Sequence, residues 1–141
     1  MVAIGGQKIE MKSFVGESKT YVYETNQKAE AQYLAAILNS PLIDSLTKPM
    51  QTRGQWGPRD IHKKVLELPI PEFKADNRQH VKLAELGEAC AGKVKTMVPD
   101  LKALFKDIRA AHAIGRARVA VRKALADELA EIDDVVREIL K

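Results

Sequence analysis

Leu101, Leu104, Ile108, Ala111, Gly115, Arg118, Arg122, Leu125, Leu129, Ile132, Val136 and Ile139 recur at steps of three and four. That spacing keeps one face of an α-helix in register, so the last forty residues read as a coiled-coil-like seam. The ends of the seam are apolar and its middle is not. Gly115, Arg118 and Arg122 interrupt it, which predicts a bend or break near Gly115 or a polar point that fixes register. The tail then folds as a hairpin or bundle.

Upstream, a helix capped by Asn77 or Asp76 is expected to run to about Met97. Val81, Leu83, Ala84, Leu86, Ala89 and Val94 are its buried candidates, and Val98-Pro99-Asp100 should break it. Nearer the N-terminus the pattern changes. Val2 to Met11 and Lys19 to Thr25 read as strands joined by a turn at Val15-Gly-Glu-Ser. Asn26 is the expected cap of a helix with Ala29, Tyr33, Ala36 and Ile37 on its apolar face. Asn39-Ser40-Pro41 ends it, and Pro41 can open a second short helix from Leu42 to about Lys48. Ile61 to Ile70 reads as a strand that stops at Pro69 and Pro71. The expected class is therefore α+β: a small mixed recognition half-domain over 1–76, then a helical spacer over 77–141. Tyr21, Tyr23, Tyr33, Phe73 and Phe105 are core candidates.

Charge is uneven. The 141 residues carry a formal net charge of +4. Between Lys48 and Lys64 stand Lys48, Arg53, Arg59, Lys63 and Lys64 against the single acid Asp60. Between Arg116 and Lys123 stand Arg116, Arg118, Arg122 and Lys123 with no acid. Two such clusters are what a polyanion-binding surface needs, although solvated helix faces give the same pattern. The first cluster lies in a loop with Gly54 and Gly57, which let a backbone approach phosphate, and with Pro58, which stiffens it. Arg53 and Arg59 can reach a phosphate or a guanine edge, and are the leading candidate contacts should the partner be DNA. Arg59 either forks onto a guanine or pairs with Asp60. Trp56 either stacks on a base or packs beneath the loop. Gln55 can in principle pair with adenine, and His62, Lys63 and Lys64 open the following strand, the lysines suited to phosphates.

No catalytic constellation stands out. His62, His80 and His112 lie in separate elements without zinc-ligand spacing. No nucleophile elbow or phosphate-binding glycine loop occurs. The lone Cys90 excludes an internal disulfide and reads as a small core residue. No run reaches the roughly 20 apolar residues of a membrane span, and a signal-peptide pattern is lacking, so a cytoplasmic location is expected.

Four ordered blocks carry a resemblance: Glu30-Ala-Gln-Tyr-Leu-Ala-Ala-Ile-Leu-Asn-Ser-Pro41, Gly54-Gln-Trp-Gly-Pro-Arg-Asp-Ile-His62, Leu66-Glu-Leu-Pro-Ile-Pro71 and Leu83-Ala-Glu-Leu-Gly-Glu-Ala-Cys90. Together they resemble the C-terminal target-recognition region of adenine-specific DNA methyltransferases from prokaryotic restriction-modification systems. The Leu-Asn-Ser-Pro and Pro-Ile-Pro ends are also similar to type I specificity subunits, in which helices follow a recognition domain. Leu129-Ala-Glu-Ile-Asp-Asp-Val-Val136 is similar to the tail of the same methyltransferases. The resemblance implies a DNA-recognition part with double-stranded DNA and a methyltransferase catalytic domain or subunit as partners. It implies no catalysis or cofactor in this chain, because the S-adenosylmethionine domain and its Pro-Pro-Tyr/Phe motif are missing. The alternative is an assembly subunit that docks a partner, or another copy of itself, through the helical tail.

Overall fold

The computed structural model describes residues 2–4, 7–9, 21–51, 53–54, 57–58, 66–103 and 110–141, with side chains over 21–51, 66–100 and 112–141. Among the described residues the fold is built from five α-helices: α1 (Lys28–Leu38), α2 (Pro41–Thr47), α3 (Arg78–Ala103), α4 (Ala110–Ala124) and α5 (Ala126–Ile139). The α+β expectation is wrong. Strand pairing is confined to two short antiparallel ribbons, β1 (Val2–Ile4) with β2 (Gln7–Ile9) and β3 (Arg53–Gly54) with β4 (Gly57–Pro58). Neither grows into a sheet layer.

The expected N-terminal strand is replaced by this β1–β2 pair, and Tyr21–Thr25 forms no strand. Tyr21 and Tyr23 are 56% and 65% exposed rather than core. Propensity alone cannot make a strand where no neighbouring strand accepts the ladder. The strand expected over Ile61–Ile70 fails where it is described. Leu66 and Glu67 form a 3-10 turn, and Ile70 N–H donates to Leu68 carbonyl at 2.7 Å, a local closure that a ladder would forbid. Val15–Ser18 and Ile61–Val65 lie outside the described residues.

α1 begins one residue later than expected, after Gln27, whose extended backbone caps without a side-chain bond. Asn26 is not the cap. The entry is held instead by Thr25, whose hydroxyl accepts Gln27 N–H at 3.0 Å and donates to the Glu30 carboxylate. Tyr23 hydroxyl donates to the same carboxylate at 3.0 Å. A carboxylate in the first turn also suits the positive end of the helix.

At α2 the N-terminal donors are accounted for in turn. Pro41 has none. Leu42 N–H goes to the Asp133 carboxylate of α5 at 3.0 Å, and Ile43 N–H to Ser40 Oγ at 3.2 Å. Asp44 N–H starts the helical ladder on Ser40 carbonyl at 3.1 Å. This short helix is thus tied to the far end of the chain.

Asn77 caps α3, its side-chain oxygen accepting Gln79 N–H at 2.9 Å. The helix does not stop at Pro99, which sits inside it. A proline there removes one backbone hydrogen bond and typically costs about 3 kcal/mol, a penalty set against the packing of the helix nearer its N-terminus. Gly87 marks where α1 crosses α3. A Cβ at that position would lie 2.5 Å from Gln32 carbonyl oxygen, so only glycine permits the approach.

The break in the tail falls at Leu125, between α4 and α5, not at Gly115, which lies within α4. α5 runs antiparallel to α3. Gln79 donates to Glu138 at 2.6 Å, while Lys82 meets Glu131 and Lys93 meets Glu128, each at 2.7 Å. The apolar seam holds along this half: Leu125, Ile132 and Val136 are buried, and Leu129 and Ile139 half-buried. The core joins Tyr33, Ala36 and Ile37 of α1, Ile43 of α2, Leu83 and Ala84 of α3, and Ile132, Val135 and Val136 of α5. It thus spans both sides of residue 76. Ala89 is exposed, contrary to its expected burial.

Candidate nucleic-acid interface

Between residues 52 and 65 the basic loop is described only in its backbone at Arg53, Gly54, Gly57 and Pro58. Arg53 pairs with Pro58 and Gly54 with Gly57. The two strands bracket Gln55 and Trp56 in sequence, so the glycines sit at the paired ends of a hairpin. Gln55, Trp56, Arg59, His62, Lys63 and Lys64 lie outside the described residues.

The second cluster is on α4, where Arg116, Arg118, Arg122 and Lys123 are all exposed. They do not share one face. Arg116 and Lys123, seven apart, lie nearly in line along the helix. Val119, 68% exposed, lies on the same side. Arg118 and Arg122, four apart, lie along a different face and line a groove. Arg122 reaches Asp44 at 4.0 Å, with both side chains more than half exposed, a geometry worth little in water. Among the described residues Arg116 and Lys123 have no ion-pair partner.

The acids of α5 are differently placed. Glu128, Glu131 and Glu138 bond to α3, and Asp133 caps α2. Lys93 holds the Glu128 carboxyl below its ordinary range, and Glu131 raises the Lys82 ammonium.

A groove of about 750 Å³ opens between α1, α3, α4 and the start of α5. Its walls are mainly small and apolar, Ala36, Ala91, Val94 and Leu129 among them. Cys90 lies in the same wall, half-buried, its thiol pushed up chiefly by burial. Sequence reasoning did not find this groove, because its walls come from five separate helices, α2 contributing Pro41 and Asp44.

The buried titratable groups belong to the frame. Tyr33, fully buried, donates to Pro71 carbonyl at 3.0 Å, and burial pushes its hydroxyl up to about 12. His80 packs on Tyr33 with ring centroids 4.8 Å apart, and its Nδ1 accepts Lys74 N–H at 3.0 Å. That bond requires an unprotonated Nδ1. Burial, then the Lys74 charge, lower its proton affinity against a smaller opposing effect of Asp76. Phe73 completes the cluster. His112, on α4, is exposed and remote in sequence from this cluster.

Among the described residues no group of three or more His, Cys, Asp or Glu side chains is placed to hold a metal. No helix among them is long and apolar enough to cross a membrane. Comparison of the chain with family profiles, curated proteins and solved structures finds no match.

Proposed function

We propose that this chain is a DNA-recognition module that does no chemistry itself and works beside a methyltransferase catalytic part in a restriction-modification system. The helical core is the frame, and the Arg53–Pro58 hairpin is the reading element. The outward stripe of α4, with Arg116 and Lys123, supplies sequence-independent phosphate contacts. The observation that carries the reading is the separation of charge between adjacent helices. The acids of α5 are turned largely to its own core partners, while the cations of α4 are exposed. An exposed cationic stripe is the electrostatic footprint of a polyanion partner.

The test is duplex binding measured against salt. Affinity should fall linearly on logarithmic axes as salt rises. Arg53→Ala with Arg59→Ala should weaken binding and relax sequence preference, whereas Arg116→Ala with Lys123→Ala should weaken all sequences alike. Binding that ignores salt, or that survives both pairs of substitutions, rules the reading out. The second reading, an assembly subunit that does not touch DNA, draws its support from the apolar groove.

A further inference from the structure

We infer that the groove between α1, α3, α4 and α5 is a docking site for an acidic amphipathic helix of a partner protein. The α3 wall supplies Gly87, Ala91, Val94 and Val98, at steps of four, three and four. That is the spacing of a helix–helix seam, and it holds one straight line for about 16 Å along α3. α1 covers the seam at Gly87. Beyond that point Ala91 and Val98 are exposed and Val94 is only half-buried. The small side chains let a backbone come close, while Val121 and Leu129 form the facing wall. A straight, open seam suits a helix, which can place a residue in it every turn.

Charge selects the kind of helix. Lys95, Arg118 and Arg122 line the groove against one carboxylate, Asp44. Arg122 meets that carboxylate only at 4.0 Å, and Asp44 is also approached by Lys48 at 3.9 Å. A helix with carboxylates flanking its apolar stripe would satisfy the remaining cations, and one with lysines there would be repelled. Flanking charges of this kind decide partner choice between packed helices. The inference does not depend on DNA binding, since it uses the groove face of α4 and not the Arg116–Lys123 stripe.

The probe is a fluorescein-labelled synthetic helix, roughly 18 residues long, with leucines at seam spacing and glutamates on both flanks. A control peptide carries lysines in place of the glutamates. Fluorescence anisotropy with the full chain should show saturable binding of the acidic peptide and none of the basic one. Ala91→Trp fills the seam and should weaken binding by about tenfold or more. Arg118→Glu with Arg122→Glu should weaken it at least as much, and these exposed sites leave folding, checked by circular dichroism, unchanged. The inference is overturned if the acidic peptide fails to bind, if both peptides bind alike, or if Ala91→Trp changes nothing. Sedimentation supplies one further decisive outcome. A chain that dimerises, and that Ala91→Trp returns to monomer, would give the groove to a second copy and dismiss the acidic partner.

Discussion

α4 and α5 follow one another across a single residue, Leu125, and are 15 and 14 residues long. Their side chains are spent differently. α5 places Ile132, Val135 and Val136 in the core and bonds its acids to α3 and α2. α4 has a row of small residues on its inner side, with Ala113 buried, and carries four exposed cations. A helix held by large apolar side chains can afford to use its charges as fasteners. A helix held mainly by alanines keeps its charges outside, where they can act on another molecule. Equal length and adjacency therefore say little about role; the size of the buried side chains says more.

The largest expected effect tests whether α5 really is the anchor. Ile132→Ala should cost about 3 kcal/mol in urea unfolding, from lost burial and an unfilled cavity. Val119→Ala in α4 should stay within about 0.5 kcal/mol. Equal losses would erase the contrast. Next in size is Gly87→Ala, expected to destabilise by about 1–2 kcal/mol despite the better helix propensity of alanine, because the new methyl meets a backbone oxygen. A gain in stability would show that α1 can shift at no cost.

A smaller effect concerns pH. His80 binds protons less readily in the folded state than at its ordinary value of 6.5. Its contribution is therefore complete above about pH 6.5 and is lost as pH falls below it. Unfolding free energy should drop between pH 7.5 and 5.5, and His80→Gln should flatten that slope. A slope that persists in the variant would point to another group. A small stability change is likewise expected at Lys82→Ala. Its ion pair with Glu131 joins two half-exposed side chains that water already screens, so thermal denaturation should find the midpoint nearly unmoved.

What could be read in advance was local. Pro41 announces the start of α2 by its fixed backbone angle and acts there as expected, whereas Ser40, read only as part of the end of α1, also caps α2. Asn77 announces the start of α3 by cap chemistry, also as expected. The apolar seam from Leu125 to Ile139 correctly marks the inner face of α5. The misreadings share a cause, which is that a local signal was outweighed by its surroundings. Pro99 did not end α3, a 26-residue helix anchored by its packed N-terminal half. Gly115 looked like a hinge, yet it has open space around it and remains helical. Tyr21-Val-Tyr23 had strand chemistry but no strand to pair with among the described residues. Of the candidate site, the α4 cations were visible as a group, but their division into two faces needs helical phase. The groove depends on the packing of five helices, and no single segment encodes that.

The bond from Leu42 N–H to Asp133 has a consequence for the order of events during synthesis. The first helices emerge from the ribosome long before the residues that complete their lid exist. Until α5 is translated, the core residues of α1 and α2 lack Ile132, Val135 and Val136 as neighbours, and the second helix lacks one of its terminal acceptors. A nonsense codon within α5 that removes Asp133 and Val136 would therefore injure α1 and α2, far upstream in the chain, leaving apolar surface exposed to chaperones or proteases.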